Sequence, residues 1–277
     1  MLKHIRKLIL CAALFAAAGC AAQENIEADQ LSVKFFNAGK ADAILLYTDE
    51  SAVLIDTGLD GFAPYILHTL NELDIQTLDT LILTHFDKDH IGSADEILES
   101  VEVGRVLVSD WPKDSDEYAD LMAALETAGI ESEVVFGDDQ VSFMLDGAEY
   151  TIDGPDASDY DKDDSNNSSL IVTVQYGQTS FLLMGDAQNE RIKEFLSQDS
   201  SEYDVLKVPY HGNYQKQLKN LIPSADPEYA VITCSASEGG EAKTLDLLEE
   251  YDIEVFLTSE GNVSIVSDGK NITASYD

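Results

Sequence analysis

Cysteine is scarce in this 277-residue chain, which has only three. Cys11 and Cys20 lie in or directly after an apolar N-terminal segment, and Cys234 ends the strand-like run that begins at Tyr229. With one cysteine left in the body of the chain, an internal disulfide framework is excluded. We expect the thiol of Cys234 to be a buried packing group rather than a nucleophile.

Basic residues are also scarce. The chain has 16 Lys and Arg against 53 Asp and Glu, which gives a formal net charge of −37 at pH 7. A surface of this sign repels polyanions at low salt, and this disfavours tight binding of nucleic acid and electrostatic docking on anionic lipid. Hydrophobic residues make up 44% of the chain, a composition typical of a folded protein rather than a disordered acidic one.

The N-terminal apolar run, Leu8–Ala18, is too short for a comfortable membrane span but has the length of a signal-peptide core. A charged segment precedes it, and Ala17-Ala18-Gly19-Cys20 follows as in bacterial lipoprotein signals. We therefore predict a lipoprotein signal peptide over 1–19, lipidation of Cys20 and a tether over 20–30. Such a protein would be exported and lipid-anchored at the outer face of the cytoplasmic membrane. An ordinary signal peptide with a chance cysteine is the alternative.

Strand-like and helix-like segments alternate from residue 31 to residue 277. The spacing of apolar residues predicts helices over Gly61–Leu73, Ser115–Ala128, Glu190–Leu196 and Lys243–Tyr251, and hairpins across Asp146-Gly147 and Gly177-Gln178. Two runs of strands with interspersed helices predict an α/β (α+β) domain in which two sheets pack face to face with helices outside. The acidic stretch 155–167 is predicted to be a surface loop.

The segment His85-Phe-Asp-Lys-Asp-His90 connects a strand-like run to a segment of helical spacing. It places four candidate metal ligands on one tight loop: His85, Asp87, Asp89 and His90. Imidazole and carboxylate donors this close together suit one or two divalent cations. A solvated polar loop is the alternative, but two of the five histidines of the chain in one short loop favour the metal.

Three further polar residues follow apolar, strand-like segments: Asp56, Asp186 and His211. Because α/β architectures form their sites where several strand ends meet, we expect these side chains to gather around the His85–His90 loop. Lys207 is a candidate contact for an anionic substrate, with a structural lysine as the alternative. The sequence contains neither a Gly-rich phosphate loop nor a Ser nucleophile elbow.

In this order, the segments resemble the motifs of the metallo-β-lactamase superfamily. Within it they are most similar to the hydrolase domain of ComEC-type DNA-uptake proteins and their stand-alone lipoprotein relatives. The matching segments are Phe36–Leu45 (D-V-G-Q-G-D-A-I-L), Ile55–Gly58, His85–His90 (H-x-D-x-D-H), Asn166–Val172 (N-N-x-S-L), Gly185-Asp186 and Tyr210–Asn213 (H-H-G-S). Tyr210 and Asn213 depart from the last motif, Lys40 replaces the Gln of the first, and Ser237–Ala242 lacks the His of a late G-H-P motif.

The resemblance implies a four-layer αββα sandwich of the metallo-β-lactamase type with one or two ions, Zn²⁺ or Mn²⁺. One ion would take His85, Asp87 and Asp186, and the other Asp89, His90, Asp186 and His211. Asn167 would complete the first ion's shell or hold a water, and Asp56 would orient a ligand from behind. Asp89 and Asp186 are the predicted catalytic residues. Asp87 in place of an imidazole shifts the preference from strict Zn²⁺ toward Mn²⁺ or Fe²⁺.

The predicted function is that of a metal-dependent hydrolase that cleaves a small-molecule or cell-envelope phosphoester or phosphodiester by a metal-activated hydroxide. The strongly negative charge disfavours long nucleic acid as the substrate. Two alternatives stay open at this point. One is a nuclease associated with DNA uptake, and the other is a catalytically weak or inactive metal-binding lipoprotein of the same fold.

Overall fold

A computed structural model of the protein describes residues 30–137, 140–156 and 165–277. The predicted signal peptide, Cys20 and most of the predicted tether lie outside the described residues, as does most of the acidic loop. Within these ranges, no helix is long and apolar enough to cross a membrane.

The strands are β1 Leu31–Phe35, β2 Ile44–Tyr47, β3 Ala52–Ile55, β4 Thr77–Leu78, β5 Thr80–Leu83, β6 Glu102–Val103, β7 Val106–Ser109, β8 Glu133–Val135, β9 Val141–Leu145, β10 Ala148–Asp153, β11 Ile171–Tyr176, β12 Thr179–Leu183, β13 Val205–Lys207, β14 Tyr229–Ile232, β15 Glu254–Leu257, β16 Val263–Ser267 and β17 Ile272–Tyr276. The helices are α1 Ala63–Glu72, α2 Lys88–Ile91, α3 Ala94–Ser100, α4 Asp116–Ala128, α5 Asn189–Gln198, α6 Leu218–Ala225 and α7 Ala242–Glu250.

Two large mixed sheets form the centre of the molecule. The first has eight strands in the order β17-β16-β1-β2-β3-β5-β7-β8, and the second has seven in the order β15-β14-β13-β12-β11-β10-β9. In the first sheet β3, β5, β7 and β8 are parallel, and in the second β12 to β15 are parallel. Parallel strands bring their carboxyl ends to one edge of a sheet, which is where the predicted polar residues follow.

Three apolar clusters fix the order of the layers. The central cluster contains side chains of both sheets, such as Phe35 and Ile55 from the first and Tyr150 and Phe181 from the second. A second cluster packs α1, α3 and α4 on the outer face of the first sheet, and a third packs α5, α6 and α7 on the second. The predicted αββα sandwich is therefore confirmed. Inner strands such as β3 are buried on both faces, which explains their uninterrupted apolar sequence.

Most predicted elements have the expected type. Both hairpins form, and α4 begins after Ser115, whose hydroxyl accepts from the amide of Tyr118. The prediction missed α6, because Pro223 lies inside it and proline normally ends a helix. It also missed the three-residue strand β8, which is too short for a periodic pattern to stand out.

Candidate metal centre

The polar residues predicted from strand ends meet at one edge of the sandwich. Asp56 directly follows β3, the His85–His90 loop follows β5, Asp186 follows β12, and His211 follows β13. Asp56 and His211 have positive φ angles of 56° and 51°, so the chain turns sharply at both residues. These turns point short polar segments from both sheets toward a common centre.

Asp89, His90, Asp186 and His211 form a compact group, here called the front cluster. Each offers one ligand atom, and these atoms all lie within 4.8 Å of one another. The Nε2 atom of His211 lies 3.1 Å from Oδ2 of Asp186, and Nε2 of His90 lies 3.4 Å from Oδ1 of Asp186. These four residues are the complete set that the resemblance assigned to one of the two ions.

The front cluster contains buried polar atoms without hydrogen-bond partners in the described part of the chain. They are Nε2 of His90, Nε2 of His211 and Oδ1 of Asp186, and Nε2 of the neighbouring His85 is likewise buried without a hydrogen-bond partner in that part of the chain. Buried polar atoms are nearly always satisfied in folded proteins, so such a set calls for a partner. Imidazole nitrogen and carboxylate oxygen are the donors that Zn²⁺ and Mn²⁺ take, and the residues therefore fit a divalent cation.

His85 and Asp87, which the resemblance assigned to the other ion, have different hydrogen-bond partners and different neighbours. The ring of His85 lies against that of His90, with centroids 4.1 Å apart, and its Nδ1 is 3.2 Å from the hydroxyl of Thr84. The carboxylate of Asp87 instead pairs with Lys113 and accepts from the hydroxyl of Ser165 at 2.6 Å. His85 thus borders the front cluster, while Asp87 is held by two other partners, and its ligand role stays a prediction.

Hydrogen bonds made by the Nδ1 atoms orient the two imidazole rings of the front cluster. Nδ1 of His90 donates to Asp56 at 2.7 Å, and Asp56 also accepts from the amide and the hydroxyl of Thr84 at 2.8 and 2.7 Å. Nδ1 of His211 donates to the carbonyl of Thr233 at 3.0 Å. A proton fixed on Nδ1 leaves the Nε2 lone pair of each ring free for a cation. Asp56 thus orients the ring of His90, and its role behind a metal ligand stays a prediction.

Asp42 also lies in this region, although it was not among the predicted site residues. It is buried, its Oδ1 accepts from the hydroxyl of Thr233 at 2.5 Å, and its Oδ2 pairs with the ammonium of Lys207. Its amide donates to the carbonyl of Asp89 at 3.0 Å. The available signal was a lone carboxylate between apolar residues in the segment Ala41–Ile44, at the start of a strand.

Lys207 and Asn167 are engaged within the protein. The fully buried ammonium of Lys207 donates to the carbonyl of Gly185 at 2.8 Å, which favours a structural lysine over a substrate contact. The amide oxygen of Asn167 accepts from the backbone of Gln188 and Arg191 at 3.1 and 3.2 Å, where α5 begins. Asn167 therefore caps a helix in this structure, and its predicted metal role stays a prediction.

Charge coupling dominates the titration of the front cluster. Burial alone would raise the pKa of the Asp186 carboxyl, but the imidazoles of His211 and His90 hold it well below its usual value. Burial would lower the pKa of His90, but the carboxylates of Asp186 and Asp56 raise it well above 6.5. Burial lowers the pKa of His85 to about 3, so this ring is neutral and available as a ligand. Without a cation, protons on the rings therefore supply the positive charge between the carboxylates.

The sequence profile of the metallo-β-lactamase superfamily matches residues 37–235, which include every residue of the front cluster. The chain belongs to the metallo-β-lactamase superfamily. Like its relatives in this superfamily, it has a metal-dependent hydrolase fold, and it is similar to ComEC-type competence proteins. It is 31% identical over 194 residues to ComE operon protein 3 of Bacillus subtilis, an alignment that covers 67% of this chain and 24% of that protein.

A second relative of this metallo-β-lactamase chain is Recombination protein 2 of Haemophilus influenzae, 25% identical over 205 residues, or 73% of this chain and 24% of that protein. The chain thus spans about a quarter of the length of both relatives. Among solved structures, the metallo-β-lactamase fold protein YhfI from Bacillus subtilis superposes with a TM-score of 0.56 at 10% identity, covering 89% of this chain and all of that one. This likeness concerns the fold.

Proposed function

We propose that this protein hydrolyses small-molecule or cell-envelope phosphoesters or phosphodiesters with the help of one or two divalent cations, Zn²⁺ or Mn²⁺. The observation that carries the proposal is the convergence of the four ligand atoms of the front cluster within 4.8 Å of one another, with Nε2 of His90, Nε2 of His211 and Oδ1 of Asp186 buried and without hydrogen-bond partners among the described residues. A divalent cation bound there supplies Lewis acidity for an ester oxygen and for water. The chain's own residues provide orientation, charge balance and substrate contacts.

Asp186 and Asp89 have separate tasks in this proposal. Asp186 is buried between the rings of His90 and His211 and joins the two halves of the front cluster. The Asp89 side chain is 20% exposed, at the solvent side of the same cluster. It is therefore placed to accept a hydrogen bond from a water molecule and to orient that water toward a substrate. Its pKa is lowered, so it is ionised at neutral pH.

Lysines beside the metal loop support an anionic substrate. The ammonium of Lys40 lies 4.0 Å from Oδ2 of Asp89 and 5.6 Å from the centre of the Tyr210 ring, and Lys113 pairs with Asp87. Both lysine side chains are partly exposed. In a chain with 16 basic and 53 acidic residues, positive charge at this place compensates for the field that would repel a phosphoester.

The experiment begins with metal analysis of the purified protein and continues with bis(p-nitrophenyl) phosphate, p-nitrophenyl phosphate and p-nitrophenyl acetate as substrates, each with and without a chelator. We expect chelator-sensitive hydrolysis of a phosphoester. Metal-loaded protein that cleaves none of these compounds would favour the inactive metal-binding alternative.

Lys40→Met tests the substrate class within the same assay. It should raise KM for the phosphoester several-fold and leave kcat, metal content and acetate hydrolysis unchanged, because it removes only a charge beside the site. Lys88→Met is the matched control, since Lys88 is an exposed lysine of the same loop and the change in net charge is identical. Equal effects of the two substitutions would indicate a general field effect instead of a contact.

A nuclease is the second candidate function, because relatives of this chain are named Recombination protein 2 and Competence protein ComA. The net charge of −37 argues against long nucleic acid. Linear duplex and single-stranded DNA in the same metal-dependent assay separate the two functions. Cleavage of DNA at rates above those for the small esters would replace our proposal with this one.

We also propose that the protein is anchored through a lipid on Cys20. The support is the charged segment, the short apolar core and Ala17-Ala18-Gly19 before the cysteine. Cys20→Ser should leave the precursor unprocessed or release the protein from the membrane fraction, as followed by immunoblotting. A correctly cleaved Cys20→Ser protein that stays in the membrane fraction would contradict the lipid anchor.

A further inference from the structure

A second group of cation ligands lies behind the front cluster. Asp42, Asp56 and His90, here called the back cluster, are all buried, and each offers an atom within 4.8 Å of those of the other two. His90 belongs to both groups. Its Nε2 faces Asp186 at 3.4 Å, whereas its Nδ1 donates to Asp56 at 2.7 Å and lies 3.9 Å from Oδ2 of Asp42. The ring of His90 thus lies between Asp186 on one side and the two carboxylates of the back cluster on the other.

The ammonium of Lys207 reaches the back cluster from the end of β13. It contacts Oδ2 of Asp42, donates to the carbonyl of Gly185 at 2.8 Å and lies 3.7 Å from Oδ1 of Asp186. The side chain is fully buried, and a buried charge is tolerated only when it is paired and hydrogen-bonded. Arg191, the other fully buried side chain among the lysines and arginines of the described ranges, pairs with Asp153 and Glu194.

A divalent ion in the back cluster would disturb the front cluster. It would take the Nδ1 lone pair of His90 and so break the hydrogen bond to Asp56 that orients Nε2. An ammonium group differs in this respect, since it only donates hydrogen bonds and does not compete for a nitrogen lone pair. It also neutralises Asp42 without adding a second positive charge.

We propose that Lys207 is the permanent cation of the back cluster, and that by filling this position it confines divalent metal to the front cluster. Asp42 is kept out of metal coordination by its pairing with Lys207. This assignment concerns where cations bind, and it holds whether or not the protein hydrolyses phosphoesters.

The test counts bound metal by equilibrium dialysis of the purified protein against Mn²⁺ alone. We expect Lys207→Ala to bind one more equivalent than the wild-type protein, because its back cluster is open. The additional equivalent should disappear in Lys207→Ala/Asp42→Asn. It should also be displaced by propylammonium, which has the size and charge of the removed group. Leu206→Ala is the matched control: it removes a fully buried side chain from the same strand without removing a charge, and it should keep the wild-type stoichiometry.

Wild-type stoichiometry in folded Lys207→Ala would overturn the proposal. If Lys207→Ala does not fold by itself, it is refolded with propylammonium or with tetramethylammonium at equal ionic strength. Recovery with propylammonium alone supports a cation position of ammonium size. Recovery with neither cation, or with both to the same extent, overturns the proposal.

Discussion

At the scale of single residues, His90 shows how one side chain links the two charge clusters. Its pKa is raised by carboxylates on both sides of the ring, and its two nitrogens have different partners. The nitrogen bonded to Asp56 is fixed as a donor, and this decides which nitrogen can bind a cation. Changes to the partners of His90 should therefore affect metal binding even when the ligands themselves are kept.

Asp186 should be the most sensitive residue of the front cluster. Asp186→Ala should lower kcat/KM by roughly a thousandfold, about 4 kcal/mol of barrier, because this carboxylate contacts both His90 and His211. Asn167→Ala should have a much smaller effect on rate but cost about 1 kcal/mol of stability through loss of the cap on α5. Steady-state kinetics and urea unfolding of both variants provide the check. A large rate loss in Asn167→Ala at unchanged stability would support its predicted role as a ligand.

Protons and cations should compete for the front cluster. In the metal-free protein, the folded-state pKa values of His90 and His211 lie above 6.5, so their stabilising effect is full below about pH 6.5 and is lost as pH rises through the folded values. Metal binding displaces these protons, so metal affinity should rise with pH. The gap between Tm with Mn²⁺ and Tm with chelator should therefore widen from pH 6 to pH 8.

The exposed His68 provides the control for this pH dependence. His68→Gln removes an exposed imidazole from α1 and should leave the widening unchanged. A gap that is constant with pH would show that protonated rings do not compete with the cation.

At the scale of elements, backbone hydrogen bonds hold the metal loop between two other loops. The amide of Thr57 donates to the carbonyl of His90 at 2.7 Å, and the amide of Gly92 donates to the carbonyl of Gly58 at 2.9 Å. The amide of Asp42 donates to the carbonyl of Asp89. The turns after β1, β3 and β5 thus form one rigid unit, and ligand geometry depends on how closely these backbones approach.

Gly92→Ala should disrupt this unit. A Cβ atom at this position would lie 2.5 Å from the backbone of Leu59 and Lys88, which is too close for any carbon atom. We expect a loss of about 1–3 kcal/mol in the free energy of unfolding together with weaker metal binding. Gly129→Ala is the control, because Gly129 has a positive φ of 69° but open space around it. It should lose stability through backbone strain and keep its metal affinity. Equal metal affinity in both variants would contradict a role for the close approach.

At the scale of the whole molecule, the negative charge opposes folding through self-repulsion. Raising NaCl from about 20 to about 500 mM shortens the screening length several-fold, so Tm of the metal-free protein should rise by several degrees. Calorimetry with NaCl and with KCl checks this, and equal effects of the two salts are expected of screening. A Tm that is independent of salt would mean that the acidic side chains are already neutralised by other means.

The layer order and the residues that gather around the metal loop were predictable from the amino-acid sequence. The layer order follows from apolar runs that mark buried strands, whereas the grouping of the front cluster follows from the resemblance of its motifs to those of the metallo-β-lactamase superfamily. Four of the predicted ligands, Asp89, His90, Asp186 and His211, converge because the polar ends of neighbouring strands in each sheet share an edge.

The partner of each polar group in the site depends on contacts that form only in the folded protein. Asp42 meets Lys207 across 165 positions of sequence, Asn167 is used to cap α5, and Asp87 turns to Lys113. The helix α6 forms around Pro223 because Leu218, Leu221 and Ile222 pack in the outer core. Such contacts cannot be predicted from periodicity or motif spacing. The free energy of these contacts comes from burial and charge pairing between segments that become neighbours only after folding.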